Sequence, residues 1–533
     1  MAPIFVGSEN ENSRVRSDRL GFAASTSDPG TAAEGDGYYN SSDNQLKFYD
    51  GSSWSAIQGS GTVEMVASGT LSNGQTVVVS SDGAVVGVSS TGSPQALGTK
   101  VVFESANTIY TAAVFDSTNN KVVVAYCDAG NSSYGTAVVG TVSGNSISFG
   151  TPVVFESAAT YHISATFDST NGKVVIAYQD DANSDYGTAI VGTVSGTSIS
   201  FGSATVFNSG STTYTSAGYD STNGKVVIAY RDGGNSNYGN SIVGTVSGTS
   251  ISFGSESTFE NSAISNSSVT FDSTNGKIVI TYRNDGNSDY GTAVVGTVSG
   301  TSISYGTPVV FESAAIAGFT PAAAFDSNSG KVIISYSDQA NSNYGTAIVG
   351  TVSGTSISFG TAVVFESAVS RYFNTVIDSA NNKVVVVYQD ASDSEKATLI
   401  VGTVSGTSIS FGSPVVINSP NTNWISATFD SNSSRIVSAY QDYDNSNYGT
   451  AIVFKNLGTN LTSENFIGFS DAAYTDGQTA NIQIISSIDD AQSGLTTGSL
   501  HYVQTDGTLS TTAGNPSVEA GTALSDTKIR IKS

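Results

Sequence analysis

The 533-residue chain has one cysteine and two histidines. That scarcity excludes zinc sites built on Cys/His clusters, disulfide scaffolds and haem attachment. Lysine and arginine number 20 against 44 aspartates and glutamates, for a net charge of −24. A polyanion needs a basic patch, so nucleic acid is not an expected partner. Charged residues of both signs reach only 12%, about half the usual share. With Lys and Glu so scarce, a mainly helical protein is a poor fit. No run of about 18 apolar residues occurs, so no segment is expected to enter a membrane. The opening MAPIFVGSENENSRVRSDRL lacks the apolar core of a secretory signal.

What is present is glycine (57 residues), tyrosine (25) and phenylalanine (24), together with much Ser, Thr and Val. Aromatics at 10% argue against disorder, and the remaining bias is that of β-structure. Cys127, in the run KVVVAYCD, reads as a small buried hydrophobe. A nucleophile is the alternative, but no neighbouring histidine supports it.

A unit recurs seven times, anchored on Asp116, Asp168, Asp220, Asp272, Asp326, Asp378 and Asp430, at spacings of 52, 52, 52, 54, 52 and 52 residues. One copy reads ISATFDSTNGKVVIAYQDDANSDYGTAIVGTVSGTSISFGTPVVFES. It divides into four strand-like runs separated by the turns DSTNGK, DDANSDYG and SGTS. Asn-Gly in the first turn suits the positive φ of a tight hairpin, so the runs are antiparallel neighbours. A four-stranded sheet of this size cannot bury both faces alone, and radial stacking solves that problem. The expected fold class is all-β: a seven-bladed β-propeller of four-stranded antiparallel blades, flanked by small β modules. A β-helix is the main competitor, but its parallel strands do not suit Asn-Gly hairpins. The segment GSPQALGTKVVFES (92–105) matches the fourth run, which the seventh copy lacks. It is therefore expected to complete the last blade and close the ring. The domain boundaries that follow are 1–60 for an attachment-like N-terminal β module and 61–91 for a small β module or linker. The propeller occupies 92–458 and a C-terminal β module 459–533.

Positions that do not vary read as structure. Tyr126, Tyr178, Tyr230, Tyr282, Tyr336, Tyr388 and Tyr440 share one second-run position and are expected between blades with bonded hydroxyls. Phe115, Phe167, Tyr219, Phe271, Phe325, Ile377 and Phe429 on the first run read the same way. Variation is concentrated in the inter-blade connections: Tyr110, Tyr161 with His162, Tyr214, Phe319, Arg371 with Tyr372 and Phe373, and Trp424. Aromatic rings flanked by Ser, Asn and Thr suit carbohydrate, which offers apolar C–H faces and hydroxyls together. The alternative is that they plug a central hole or sit under loops. The loops D-x-x-N-S-x-Y-G, such as Asp180–Asn183–Tyr186 and Asp338–Asn341–Tyr344, are expected to be self-capping Asx turns. Ca²⁺ is the weaker alternative there, because no full D-x-D-x-D-G loop occurs. The sixth copy departs from this pattern, with Asp393, Glu395 and Lys396, and these join the candidate ligand-binding residues.

No catalytic constellation stands out. Sialidase-type S-x-D-x-G-x-T-W boxes are missing, Arg231, Arg283, Arg371 and Arg435 occupy mixed positions, and there is neither a nucleophile elbow nor a Walker loop. A non-catalytic binding module is expected, with no cofactor. A glycan depolymerase, whose paired carboxylates would come from Asp393 and Glu395, is the enzymatic alternative.

Outside the repeats, residues 34–57 read EGDGYYNSSDNQLKFYDGSSWSAI. A second pattern occurs twice: Leu71, Gly74, Val79, Asp82-Gly83 and Leu495, Gly498, Val503, Asp506-Gly507. The YYNSSDNQLKFYDGSSW segment resembles modules near the N-termini of bacteriophage tail-fibre and virion structural proteins, particularly from phages of marine bacteria. The stretch from Asn465 to Lys532 is similar to terminal modules of such proteins. The resemblance implies an extracellular component of the virion tail that contacts a host-surface glycan or protein. It also implies contacts with other tail proteins and assembly as a homotrimer. It transfers no catalytic residue, and the propeller departs from the long fibrous shaft of many tail fibres.

Overall fold

The computed structural model describes residues 61–80, 83–88, 96–318, 321–419, 421–455, 461, 464–504, 507–514 and 517–532, with 27, 30 and the short strands Ala24–Ser25, Gly37–Asn40, Gln45–Tyr49 and Trp54–Ala56. Two compact units emerge. One comprises residues 91–458; the other joins 1–90 to 459–533.

In the larger unit, each repeat begins with an Asx turn. Asp168 Oδ1 accepts the backbone N–H groups of Thr170 and Asn171, both at 3.0 Å, and its Oδ2 accepts Asn171 Nδ2 at 2.8 Å. Asp116, Asp220, Asp272 and Asp378 make the same three bonds. These donors let the carboxylates sit almost fully buried without an unmet charge. The turn reverses the chain into Lys173–Asp180, which pairs antiparallel with Tyr186–Ser195.

The fourth run differs from the single strand expected. Ser198–Phe201 pairs with the outer half of Tyr186–Ser195, and the start of Thr205–Asp220 pairs with its inner half. Between them Gly202 lies so close to the next repeat that a Cβ would stand 1.8 Å from the Thr249 carbonyl oxygen. The strand then continues without a loop and becomes the innermost strand of the following sheet. The inter-blade connection is thus itself a strand.

Second strands are buried along both faces. Val174, Val175, Ile176, Ala177 and Tyr178 are all 0% exposed, so the run is continuously apolar rather than alternating. Alternate residues reach opposite neighbours. Val175, Ala177, Ala189 and Val191 meet Val226, Ile228, Tyr230 and Ile242 of the next repeat. All seven repeated tyrosines are fully buried. Tyr126, Tyr178, Tyr282, Tyr336 and Tyr388 donate to Glu104, Glu156, Glu260, Glu312 and Glu366. Asn208 replaces that glutamate in the third repeat, and Tyr230 turns to Glu256 instead, at 2.5 Å. In the seventh, Asn418 replaces it and the Tyr440 hydroxyl has no partner among the described residues. The first-strand residues Phe115, Phe167, Tyr219, Phe271, Phe325, Ile377 and Phe429 flank these cores.

The last repeat joins the first. Tyr448–Lys455 pairs with both Ala96–Leu97 and Val101–Asp116. A core of Val122, Val124, Tyr126 and Val138 with Val437, Ala439, Ala451 and Val453 seals that junction. Gly98 approaches Asn145 there as Gly202 approaches Thr249. The architecture is a closed β-propeller.

In the smaller unit, the segments read as separate modules share a sheet. Thr62–Val66 and Thr76–Val79 pair with Thr479–Gln483 and Phe466–Ser470. Strands this few and short cannot cover a face alone, and Val78, Val88, Phe469, Leu495, Val503 and Ile529 form a joint core. The duplicated Leu-Gly pattern gives two like hairpins, in which Gly83 and Gly507 donate to Ser80 and Gln504, both at 3.0 Å.

Candidate functional site

The central site is made by a backbone irregularity that recurs with the repeat. On six of the seven inner strands, two residues stand opposite one residue of the second strand. Residues 162 and 163 face the single Tyr178, between the pairs Tyr161↔Gln179 and Ser164↔Ala177. The same register shift occurs at 213/216, 265/268, 371/374 and 423/426, and opposite Tyr126 in the first repeat. Such β-bulges re-aim a side chain. The first bulge residue is left-handed in each case: Tyr110 (φ 53°), His162 (47°), Tyr214 (53°), Asn266 (48°), Tyr372 (51°) and Trp424 (49°). Large side chains rarely adopt this conformation, and holding it costs about 1–3 kcal/mol. Six positions hold it at the same place in the repeat.

The bulges converge on one cavity of about 310 Å³. Its lining consists of the six left-handed residues with Thr111, Ile163, Thr215, Ser267, Pro321, Phe373 and Ile425. These are consecutive pairs repeated around the ring, so the cavity lies on the propeller axis. The registers place it at the end of the sheets that carries the D-x-x-N-S-x-Y-G loops.

Its wall is one-sided. Rings run in sequence from Tyr372 to Trp424 (centroids 5.5 Å apart), Tyr110 (4.1 Å), His162 (5.1 Å) and Tyr214 (5.0 Å). The opposite wall is Asn266, Ser267 and Pro321. Hydroxyls tie adjacent repeats beneath the rings. Ser267 Oγ donates to the Tyr214 carbonyl at 2.9 Å, and Thr215 and Thr111 donate to the His162 and Trp424 carbonyls.

Burial governs the ionisation of this site. It holds the His162 imidazole down to about 4, with the Arg231 charge adding to the effect. It pushes the Tyr110 hydroxyl up to about 12, with smaller contributions from Tyr214, Cys127, Tyr161 and Tyr372. Tyr372 is raised by burial too, opposed by Arg371. At neutral pH the lining is therefore uncharged.

No protein-family model matches the chain, and no curated protein matches it. Among solved structures it is similar to the BP39L lectin of Burkholderia pseudomallei, at 10% identity and a TM-score of 0.48, over 67% of this chain and 98% of that one. It is similar to the Cps50 (Swd1) β-propeller domain of Myceliophteria thermophila at 7% identity and 0.45, over 67% and 98%. A leech intramolecular trans-sialidase gives 8% and 0.39, over 67% and 69%. These are likenesses of fold, and the site rests on its own residues.

Of the candidates read from sequence, Tyr110, His162, Tyr214, Tyr372, Phe373 and Trp424 line the cavity. Phe373 is not the exposed ring expected: it is 7% exposed and stacks on Tyr388 at 6.2 Å within the core. Tyr161 lies outside the lining, 5.9 Å from Tyr110. Phe319 lies outside the described residues. Arg371 is exposed beside Tyr372. Asp393, Glu395 and Lys396 are not at the cavity; Asp393 and Lys396 bond each other at 2.7 Å. Their loop keeps the left-handed pair of the other copies, at Ser394 and Glu395, so the changed side chains leave the backbone path intact. In the other loops Asp128, Asp180 and Asp338 accept backbone N–H groups three residues on, as Asx turns do. Cys127 is fully buried and its thiol is pushed up to about 11 by burial, which suits packing and not nucleophilic chemistry.

Two participants escape a search for aromatics. Asn266 occupies the bulge of the fourth repeat, and only the 52-residue spacing reveals it. Arg231 occupies the position after the repeated tyrosine, which reads Cys127, Gln179, Arg231, Arg283, Ser337, Gln389 and Gln441 through the seven copies. That position varies as much as the one before the tyrosine, which is Ala, Thr, Ser or Val.

Proposed function

We propose that the chain is a non-catalytic binding protein that takes carbohydrate in the axial cavity of its propeller. The observation that carries this reading is the bulge. One backbone device, strained in six copies, presents three tyrosines, a tryptophan, a histidine and an asparagine to the same cavity. A purely structural plug would need no such variety. A sugar ring laid on Trp424, Tyr110 and Tyr372 would bury its C–H face. Its hydroxyls would meet Asn266 and the Thr111, Thr215 and Ser267 oxygens. The volume is at the lower end for small-molecule sites, enough for one or two sugar units. The uncharged lining supports binding over hydrolysis, which needs paired carboxylates.

The resemblance of the terminal segments to phage tail modules supplies the setting we propose: a virion tail protein that engages a host-surface glycan. A glycan array probed with the wild type and with Trp424→Ala tests the binding reading. Retention of specific glycans, lost or cut at least tenfold in the variant, is expected. An array on which the two proteins are indistinguishable would assign the rings to structure and favour subunit contacts as the role of the propeller.

A further inference from the structure

The cations around the cavity narrow the ligand further. Among the described residues, three basic groups of this acidic chain form ion pairs. Arg283 pairs with Asp289 at 2.7 Å and Asp285 at 3.4 Å, Lys100 lies 3.7 Å from Asp442, and Lys396 holds Asp393. Arg231 and Arg371 are different. Arg231 sits half-buried with its guanidinium carbon 5.8 Å from the centre of the Tyr214 ring. Its Nε donates to Asn237 Oδ1 at 3.0 Å, and it forms no ion pair among the described residues. Arg371 immediately precedes the lining residue Tyr372, is exposed, and likewise forms no ion pair there.

Both arginines belong to the bulge layer. Arg231 pairs across the strands with Thr213, the residue before the Tyr214 bulge. Arg371 stands directly before the Tyr372 bulge, opposite Gln389. They come from the third and sixth repeats and so flank the axis from opposite sides. No acidic side chain is among the described residues that line the cavity; Asp128, Asp180 and Asp338 cap their own loops, and Glu395 is the loop carboxylate whose charge reaches Tyr372. In a chain of net charge −24, two guanidinium groups without ion pairs among the described residues therefore stand beside a cavity of uncharged lining. An aromatic cage for a quaternary ammonium ligand would carry the opposite charge at its rim.

We infer that the ligand is an acidic sugar, a hexuronate unit of a polysaccharide, whose carboxylate is held by Arg231 while its ring lies on the aromatic arc. Arg371, on the far rim, meets the carboxylate of a neighbouring unit. This rests on the carbohydrate reading of the cavity. A guanidinium fork suits a planar carboxylate, and the low-dielectric wall beside Tyr214 strengthens the pairing.

The test compares oligomers of galacturonate and of glucuronate with the same oligomers as methyl esters, by calorimetry on the full chain. Esterification removes the charge and leaves the ring and its hydroxyls. The acid form of at least one series is expected to bind about tenfold or more tightly than its ester. That advantage should shrink at high salt and disappear in Arg231→Gln, while Arg371→Gln reduces it in part. Equal binding of acid and ester, or an undiminished advantage in Arg231→Gln, would overturn the inference. If both forms bind equally and Trp424→Ala abolishes both, the carbohydrate reading stands and the charge assignment fails. If neither form binds and choline does, both readings fail. Circular dichroism of Arg231→Gln distinguishes loss of binding from loss of fold, and Arg231→Lys, which keeps charge without the fork, should restore part of the preference.

Discussion

The rings of Tyr110 and Trp424 lie 4.1 Å apart and inclined at 39°, although they belong to the first and last repeats. The Thr111 hydroxyl reinforces this seam by donating to the Trp424 carbonyl. The aromatic arc therefore crosses the point at which the ring closes, and Trp424 serves cavity and closure together.

Trp424→Ala should accordingly do more than weaken ligand binding. Loss of the ring contacts at a half-buried position is expected to lower unfolding stability by about 1–3 kcal/mol. Urea unfolding of the full chain, followed by tyrosine fluorescence, measures this. An unchanged midpoint would mean that the indole projects freely into the cavity.

His162 makes stability depend on pH. Its folded value of about 4 lies below the ordinary 6.5, so between these values the unfolded chain binds more protons. Stability from this group is complete above pH 6.5, declines as pH falls toward 4, and is flat below. The full effect is bounded by about 3 kcal/mol. Thermal melts across pH 4–7 for wild type and His162→Phe should converge toward acid, where the wild type has lost this contribution. Parallel curves would contradict the assignment.

The buried tyrosines give a paired prediction. Tyr126 donates to Glu104 at 2.9 Å, whereas the Tyr440 hydroxyl has no partner among the described residues. Tyr126→Phe strands a partly buried carboxylate and should cost about 1–3 kcal/mol. Tyr440→Phe removes an unmet polar group and should be neutral or stabilising. Equal losses in chemical denaturation would show that the shared ring packing, and not the hydroxyl, governs both sites.

Glycines at two places in one repeat should respond differently to alanine. At Gly202 a Cβ would meet the Thr249 carbonyl oxygen at 1.8 Å, and the repeats must separate to admit it. A loss of about 3–5 kcal/mol is expected. Gly196 has φ +61° with nothing within 4 Å, so Gly196→Ala meets only backbone strain of about 1–2 kcal/mol. Melting temperatures of the two variants compare them directly, and the reverse order would place the inter-repeat contact elsewhere.

Much of this molecule was determined by its sequence. The six near-equal spacings, the Asn-Gly turns and the displaced fourth run at 92–105 define antiparallel sheets and a closed ring, because each is a local or periodic property of the chain. The repeated tyrosines announced buried packing for the same reason. The cavity was half legible. Aromatics at Tyr110, His162, Tyr214, Tyr372 and Trp424 stood out against a uniform background, but why they gather did not. That depends on a bulge, and a bulge is a matter of register between strands: two residues facing one, with φ near 50°, leave no mark in composition. The bulge also decides what is excluded. It sends Tyr372 to the cavity and its neighbour Phe373 toward Tyr388, and it leaves Asp393, Glu395 and Lys396 off the axis. Arg231 and Asn266 gained meaning only when the ring brought distant copies to one axis. Sequence periodicity fixes which residues are equivalent; closure and register determine which equivalent residues meet.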